Sequence, residues 1–500
     1  MVVAGVAAAP RPALRALVVD DQDDLAAYRA GWSALVEATS QPFCDPDLLL
    51  AWWRHARPAR AQLAIVIVTD DAADGSVLGV APCFCDRGPA GVRWRPLGTQ
   101  AFQRVQPLAV PGREAEVAAA MAQALHARRA RPQVLLFEGV PEDCPWPRLL
   151  ADAWPGDRSA HEVITGRAIA LTVQLDGLDF DGWFGAKSSH FRQRLRRPRK
   201  GLAAAGGTFR LADATTAAAD IDAFIRLHAG RWAARGGSRA VTPPIAAALR
   251  DAGPGLVASG RLRVWSADLH GETIASSLVF RAGDEVGYWL NGFAERYAAL
   301  QPSKVSFLRV VEDACALRAR RLDLGAGDFA YKRRFADGQQ TLVHLAVVPR
   351  STHPAVALLA VAAPVLRREL STRLPDDVKQ RLKRAVRHAP AGEVDAAGAL
   401  STEVVGDPAA LEGCRAEWDA LVQATSQPYC APAWLLAWWR HCAPPGALLA
   451  VVVVRDDAGG AGAPAPVVGV APGFLDRGPA GVRRWRPLGA QACQRVQPLA

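Results

Sequence analysis

The stretch Val286–Phe335, VGYWLNGFAERYAALQPSKVSFLRVVEDACALRARRLDLGAGDFAYKRRF, reads as strand, loop, helix, strand, helix. Val286–Phe293 is an apolar, aromatic-rich run of strand length. Gln301-Pro302-Ser303-Lys304 then opens a helix, with the proline and serine supplying start chemistry. Leu308, Val311 and Cys315 fall on one helical face, while Arg318, Arg320 and Arg321 gather at the C-terminal end, where cations suit the macrodipole. Leu322-Asp323-Leu324 makes a short second strand closed by Gly325 and Gly327, and Asp328 is placed to cap the turn that carries Tyr331 and Lys332. A strand feeding a helix N-terminus aims free backbone N–H groups into the loop between them, and such a turn is a ready anion site.

Working outward, Ile169–Val348 forms one unit around this stretch. Ile169–Leu175 is a strand, and Gly182–Ala205 a helix with a basic run, Arg192–Lys200. That run is either a phosphate clamp, through Arg192 and Arg196, or a solvated helix face, since no aromatic interleaves its charges. Thr208–Leu211 is a strand. Ala219–Arg235 is a helix bearing Phe224, Leu227, His228 and Trp232, with His228 either an acceptor-site base or a satisfied helical histidine. Arg261–Asp268 and Thr273–Arg281 pair through His270-Gly271-Glu272, and Val286–Phe293 extends the hairpin to a meander.

Upstream, residues 16–155 alternate helices and strands: helices Leu25–Thr39, Pro46–His55 and Glu114–Arg128, strands Gln62–Val68, Val77–Phe84, Val92–Leu97 and Gln133–Glu138. Downstream, residues 402–500 repeat that opening. Trp418–Tyr429 (WDALVQATSQPY) restates Trp32–Phe43 (WSALVEATSQPF), and Leu436–His441 restates Leu50–His55. Asp476–Val482 restates Asp86–Val92, and Gln494–Ala500 restates Gln103–Ala109. Near-identity at a shift of about 386 residues is a tandem duplication. The expected domains are therefore 16–155, 165–350, a basic helical linker 351–400, and the partial repeat 402–500. Within the linker, residues 366–388 are a basic amphipathic stretch split by Pro375, either a packing helix or a peripheral membrane contact.

The 500 residues are half apolar and 22% charged, a globular composition with a net charge of +10. Such an excess suits anionic partners or simple solubility. Nine scattered cysteines without a zinc-type spacing imply reduced thiols, a cytoplasmic setting and no metal centre. The apolar run Pro354–Leu366 is too short to span a bilayer.

The order hairpin, strand, helix, strand, Tyr-bearing helix, final strand, with Gln301–Ser306 at the strand-to-helix turn, resembles the GNAT acyltransferase fold. The segments Ser188–Arg197, Leu227-His228 with Arg231-Trp232, Leu322–Phe335 and Pro42–His55 resemble its CelD-like branch, linked to cellulose and exopolysaccharide clusters and related to the Fem-type aminoacyl transferases. The resemblance implies a mixed α/β fold with two GNAT-like halves per unit and acyl transfer from acetyl-CoA or another acyl-CoA to an amine or hydroxyl on a small-molecule or saccharide acceptor. It implies that Gly292, Gln301, Ser303, Lys304, Val305 and Ser306 hold the cofactor, although Ser303 and Lys304 stand where the family carries glycine. It makes Tyr331 the general acid, leaves the acceptor base among Asp328, His228 and Glu295, and gives Lys332 to a phosphate or carboxylate. Two alternatives remain, a non-catalytic binding or scaffold protein and an aminoacyl-tRNA-dependent transferase; DNA is not an expected partner.

Overall fold

The structure is a computed structural model that describes residues 14–70, 75–88, 91–99, 101–156, 160–233, 237–327, 329–354, 356–358, 400–425, 427–456, 465–477, 483–489 and 499. Asp328 and the stretch 366–388 lie outside the described residues. The chain divides into two compact units between Ser351 and Thr352.

The first unit opens with β1 (Leu14–Val19), α1 (Arg29–Ala38), α2 (Pro46–Ala56), β2 (Gln62–Leu63), β3 (Ile65–Asp70), β4 (Val77–Ala81), β5 (Cys83–Gly88), β6 (Gly91–Pro96) and β7 (Leu108–Ala109). It continues through α3 (Glu114–Ala127), β8 (Val134–Pro141), α4 (Trp146–Asp152), β9 (His161–Gln174), α5 (Phe180–Ala186), α6 (Ser189–Ala204), β10 (Thr208–Leu211), α7 (Ala217–Ala233) and α8 (Pro243–Ala258). The last elements are β11 (Leu262–Leu269), β12 (Glu272–Ala282), β13 (Glu285–Phe293), α9 (Pro302–Ala316), β14 (Arg321–Ala326), α10 (Ala330–Phe335) and β15 (Gly338–Val348).

An eleven-stranded mixed sheet, in the order β10-β11-β12-β13-β14-β9-β15-β8-β6-β5-β2, runs through both halves drawn from the sequence, beside a four-stranded sheet, β1-β3-β4-β7. Two expected strands are each divided between these sheets. Gln62–Val68 breaks at Ala64 into β2 and β3, and Val77–Phe84 breaks at Pro82 into β4 and β5. Proline has no ladder donor, so the chain leaves one sheet there and enters the other. The expected helix Gly182–Ala205 is also two helices. Ser188 Oγ accepts the Phe191 N–H at 3.2 Å and starts α6 afresh.

Along β12 the period-two alternation is visible in the core. Leu278 and Phe280 enter the cluster shared with α2, α7 and α8, while Val279 between them enters the cluster under α9. The β11–β12 hairpin closes on His270 and Gly271, both at positive φ (52° and 78°), the conformation a two-residue primed turn needs.

The second unit contains β16 (Leu400–Val405), α11 (Arg415–Thr425), α12 (Pro432–Cys442), β17 (Leu448–Leu449), β18 (Val451–Asp456), β19 (Val467–Ala471), β20 (Gly473–Arg477) and β21 (Arg483–Pro487). Its sheets, β16-β18-β19 and β17-β20-β21, reproduce the orders β1-β3-β4 and β2-β5-β6. One buried bond recurs in both copies: Trp32 Nε1 donates to the Cys44 carbonyl at 2.8 Å and Trp418 Nε1 to the Cys430 carbonyl at 3.0 Å.

Candidate functional site

The site starts from a divergence of two strands. β13 pairs in parallel with β14 only over Glu285–Gly287 against Arg321–Asp323. Beyond that point β13 runs on to Phe293 along β12, and its register with β12 slips between Leu278 and Val279, leaving Trp289 as the extra residue of a bulge. A bulge bends its strand and raises the local twist, which carries the end of β13 away from β14.

A cleft of about 430 Å³ lies beside the end of β13, between α6, the start of α9 and α10. Its walls include Asn291 and Phe293 of β13, Ser303 and Lys304 of α9, His190 and Arg194 of α6, Arg231 of α7, and Tyr331 and Arg334 of α10. Phe191, Phe307 and Phe335 make much of the apolar lining. Lys304 Nζ donates to Gln301 Oε1 at 2.6 Å, and its pKa is lowered by desolvation and then by the nearby Arg334 and Arg194. Four cationic side chains thus share one cleft whose described lining has no carboxylate. That arrangement favours an anion.

The expected cofactor residues separate into three groups. Ser303 and Lys304 line the cleft, and Gln301, at φ 51°, fastens Lys304 from behind. Val305 and Ser306 face the interior: Val305 packs with Leu202, Leu269 and Ile274, and the Ser306 hydroxyl meets that of Ser277 at 3.0 Å. The N–H groups of Lys304 and Val305 turn back to the Gln301 carbonyl at 3.0 and 3.4 Å, and Pro302 has none to offer, so side-chain cations carry more of any anion contact than backbone does. Gly292 packs against α7, where a Cβ would come within 2.6 Å of the His228 backbone nitrogen. Its role is close approach of strand to helix.

Tyr331 lines the cleft and stacks on Phe329 with ring centroids 6.1 Å apart. Burial raises its phenol above the ordinary value against a smaller lowering by Arg231, so it carries its proton at neutral pH. His228 is 3% exposed, with Nδ1 3.0 Å from the Asn291 carbonyl and Nε2 2.8 Å from Ser238 Oγ. A carbonyl only accepts, so Nδ1 bears the proton and Nε2 accepts from the serine. Burial lowers its pKa and keeps it neutral. Both nitrogens of this candidate base are therefore occupied, in a bond pattern that ties α7 to the cleft strand.

Lys332 is 6% exposed and turned away from the cleft, its Nζ donating to the carbonyls of Gly325 and Ala326 at 3.2 and 3.0 Å. Burial lowers its pKa to about 8, with Asp323 opposing. Arg192 donates to the Gly185 carbonyl at 2.6 Å and to that of Lys187, closing the end of α5, and Arg196 is exposed on the side of α6 away from the cleft lining. Glu295 is exposed and not among the cleft residues. In place of Arg192 and Arg196 the cleft holds Arg194, one turn after His190 on α6. Periodicity finds Arg194 only once the true start of α6 is known, and Arg231, Asn291 and Arg334 are cleft residues that the sequence did not single out as site residues.

Residues 189–333 match the family described as the acetyltransferase (GNAT) domain. The match runs from the first turn of α6 into α10 and holds most of the cleft's walls, including Tyr331. No curated protein matches the chain. Solved structures with a similar backbone include FemX (12% identity, 61% of this chain and 91% of that one, TM-score 0.44). They also include L-PGS from Bacillus licheniformis (12%, 58% and 86%, TM-score 0.38) and a tandem GNAT protein from the clavulanic acid biosynthesis pathway (14%, 67% and 98%, TM-score 0.35). Among the described residues no helix is long and apolar enough to cross a membrane, and the eight described cysteines are all free.

Proposed function

We propose that the first unit is an acyl-CoA-dependent acyltransferase that moves an acyl group to an amine or hydroxyl of a small-molecule acceptor. The observation that carries this reading is the cleft beside the β13–β14 divergence, lined by Tyr331, Arg194 and Lys304 of the GNAT-matching segment together with Arg334 just after it. These residues fit a co-substrate with a diphosphate and a thioester. Arg194, Lys304 and Arg334 bind the diphosphate as charge-assisted donors, and the phenylalanines keep water from the thioester. An acyl-CoA supplies the activated carbonyl. The acceptor nitrogen or oxygen bonds to that carbon, the C–S bond breaks, and Tyr331 protonates the departing sulfur. His190, on the α6 wall of the same cleft, takes the acceptor proton. The resemblance of the quoted motifs to the CelD-like branch supports a sugar or envelope precursor as acceptor.

Calorimetric titration of the full chain with acetyl-CoA tests the binding half of this reading, with inorganic sulfate as the competing anion. Heat on titration, abolished by Lys304→Glu with Arg334→Glu, is expected. Absence of both heat and thermal stabilisation by acetyl-CoA refutes it. Thiol release with a panel of amino sugars then identifies the acceptor class.

A further inference from the structure

The N-terminal half of the first unit carries a second concave surface of positive charge. A cavity of about 660 Å³ opens where the start of β6 meets the turn between α3 and β8. Arg87 reaches it from the end of β5, and Arg129 and Arg131 reach it from the turn. In the sheet, β9 and β15 stand between β14 and β8, so this cavity is separate from the cleft.

Its floor is fixed by hydrogen bonds between two segments 41 residues apart. The Gln133 N–H donates to the Val92 carbonyl at 2.8 Å, and Gln133 Oε1 accepts the Val92 N–H at 3.2 Å. Pro132, just before Gln133, is buried and stiffens the turn. The three arginines therefore stand on a rigid base supplied from both sides.

Neighbouring arginines on β6 have carboxylate partners. Arg93 bonds to Asp86 at 2.7 and 2.9 Å, and Arg95 to Glu138 at 2.7 Å. Arg87, Arg129 and Arg131 are exposed and, among the described residues, pair with no acid. The sequence brings none to the place: residues 87–92 read RGPAGV and residues 128–133 read RRARPQ. Cations at the end of α3 alone would suit its macrodipole, but Arg87 arrives from a strand and gains nothing from that helix. Guanidiniums gathered in one hollow repel one another, and an anion between them reverses the sign of the interaction. Their planar forks match a phosphate bidentately.

The rest of the lining selects among phosphate sources. It holds no aromatic side chain on which a base could stack, and no exposed large apolar side chain to enter a bilayer. We propose that this cavity is a binding site for a soluble phosphate-bearing small molecule, held by Arg87, Arg129 and Arg131 through a phosphate monoester or diphosphate group. The proposal does not depend on the acyltransferase reading of the cleft.

Calorimetric titration with inorganic pyrophosphate tests it, using the full chain carrying Lys304→Ala and Arg334→Ala so that two of the cleft's cations are removed. Saturable binding is expected, weakened at least about tenfold by Arg87→Ala and by Arg129→Ala with Arg131→Ala, as loss of charge-assisted bonds does. Arg129→Lys with Arg131→Lys keeps the charge and loses the forks, and should weaken binding as well. Circular dichroism checks that the variants fold, and thermal stabilisation by pyrophosphate gives a second readout. Absence of saturable binding overturns the proposal, as does binding that survives the alanine variants or is indifferent to the lysine exchange. Titrations with phosphatidylglycerol–phosphatidylcholine vesicles and with single-stranded RNA complete the test. Arginine-dependent binding of either without binding of pyrophosphate also overturns it.

Discussion

Replacing Lys332 by methionine distinguishes a buried structural lysine from a ligand-binding one. Lys332 is 6% exposed, its ammonium is bonded to two carbonyls at the end of β14, and burial brings its pKa from the ordinary 10.5 to about 8. Between those two values the unfolded chain holds a proton that the folded chain has released. Stability of the native protein therefore rises with pH across that window, by about 1.4 kcal/mol per pH unit and about 3 kcal/mol in all. Below the window both states are charged, and the full burial penalty of about 3 kcal/mol is present. The methionine variant has no such group, so its stability lacks this rise. At neutral pH it escapes the penalty but leaves the Gly325 and Ala326 carbonyls without their donor, at about 1–3 kcal/mol for each buried group left unsatisfied. The two effects are of similar size, and the variant should lie within about 3 kcal/mol of the parent there. Urea titrations of both proteins at pH values spanning the window give the difference directly. Two curves that stay parallel through it would show that Lys332 is not buried as a cation and refute the reasoning. Because Lys332 stands outside the cleft, acyl-CoA affinity should survive the change.

Tyr331→Phe should lower kcat by about 10²–10⁴ with little change in acyl-CoA affinity, since the hydroxyl is needed when the thiolate leaves; an unchanged single-turnover rate removes it as the acid. Lys304→Ala with Arg334→Ala should weaken acyl-CoA binding at least about tenfold and flatten its salt dependence, measured by calorimetry at two ionic strengths. Gly292→Ala forces a methyl within 2.6 Å of the His228 backbone nitrogen. A loss of about 1–3 kcal/mol in urea unfolding is expected, the cost of overpacking, and it should be accompanied by weaker ligand binding as β13 moves off α7.

The order of elements from Val286 to Phe335 was legible because each carries a local signal: an aromatic strand, a Pro-Ser helix start, a double-glycine stop. On that order the resemblance to the GNAT fold points to Ser303, Lys304 and Tyr331, and all three line the cleft. What sequence reasoning missed depends on contacts between distant segments. Ile65–Val68 is buried on both faces, so its pattern cannot show that the chain changes sheets at Ala64. Within the Arg192–Lys200 run every basic position looks alike until the break at Lys187-Ser188 sets the phase of α6; only then does Arg194 point to the cleft and Arg192 to the end of α5. Lys332 reads as a surface cation because no local rule places a lysine under its own preceding strand. His228 was legible as a histidine with work to do, but its partners lie 10 and 63 residues away.

The GNAT-matching segment does not set its cleft geometry alone. One short loop of the N-terminal half, Ala101–Arg104, touches both strands around the place where they part. The Ala101 carbonyl accepts from Trp289 Nε1 at 2.9 Å, which fixes the bulged residue of β13. Gln103 Oε1 accepts the Ala326 N–H at 2.9 Å, and Arg104 forms an ion pair with Asp323, so β14 is held at two points on the other side. Arg104 itself sits at φ 64°, a conformation an arginine keeps only when its surroundings impose it. An N-terminal half that only added stability could have packed anywhere on the sheet. This one grips β13 at Trp289 and β14 at Asp323 and Ala326, on either side of the divergence, and so braces the gap beside the cleft. Most of the residues that line the cleft lie within residues 189–333; the parting of β13 and β14 beside them is braced by residues 101–104.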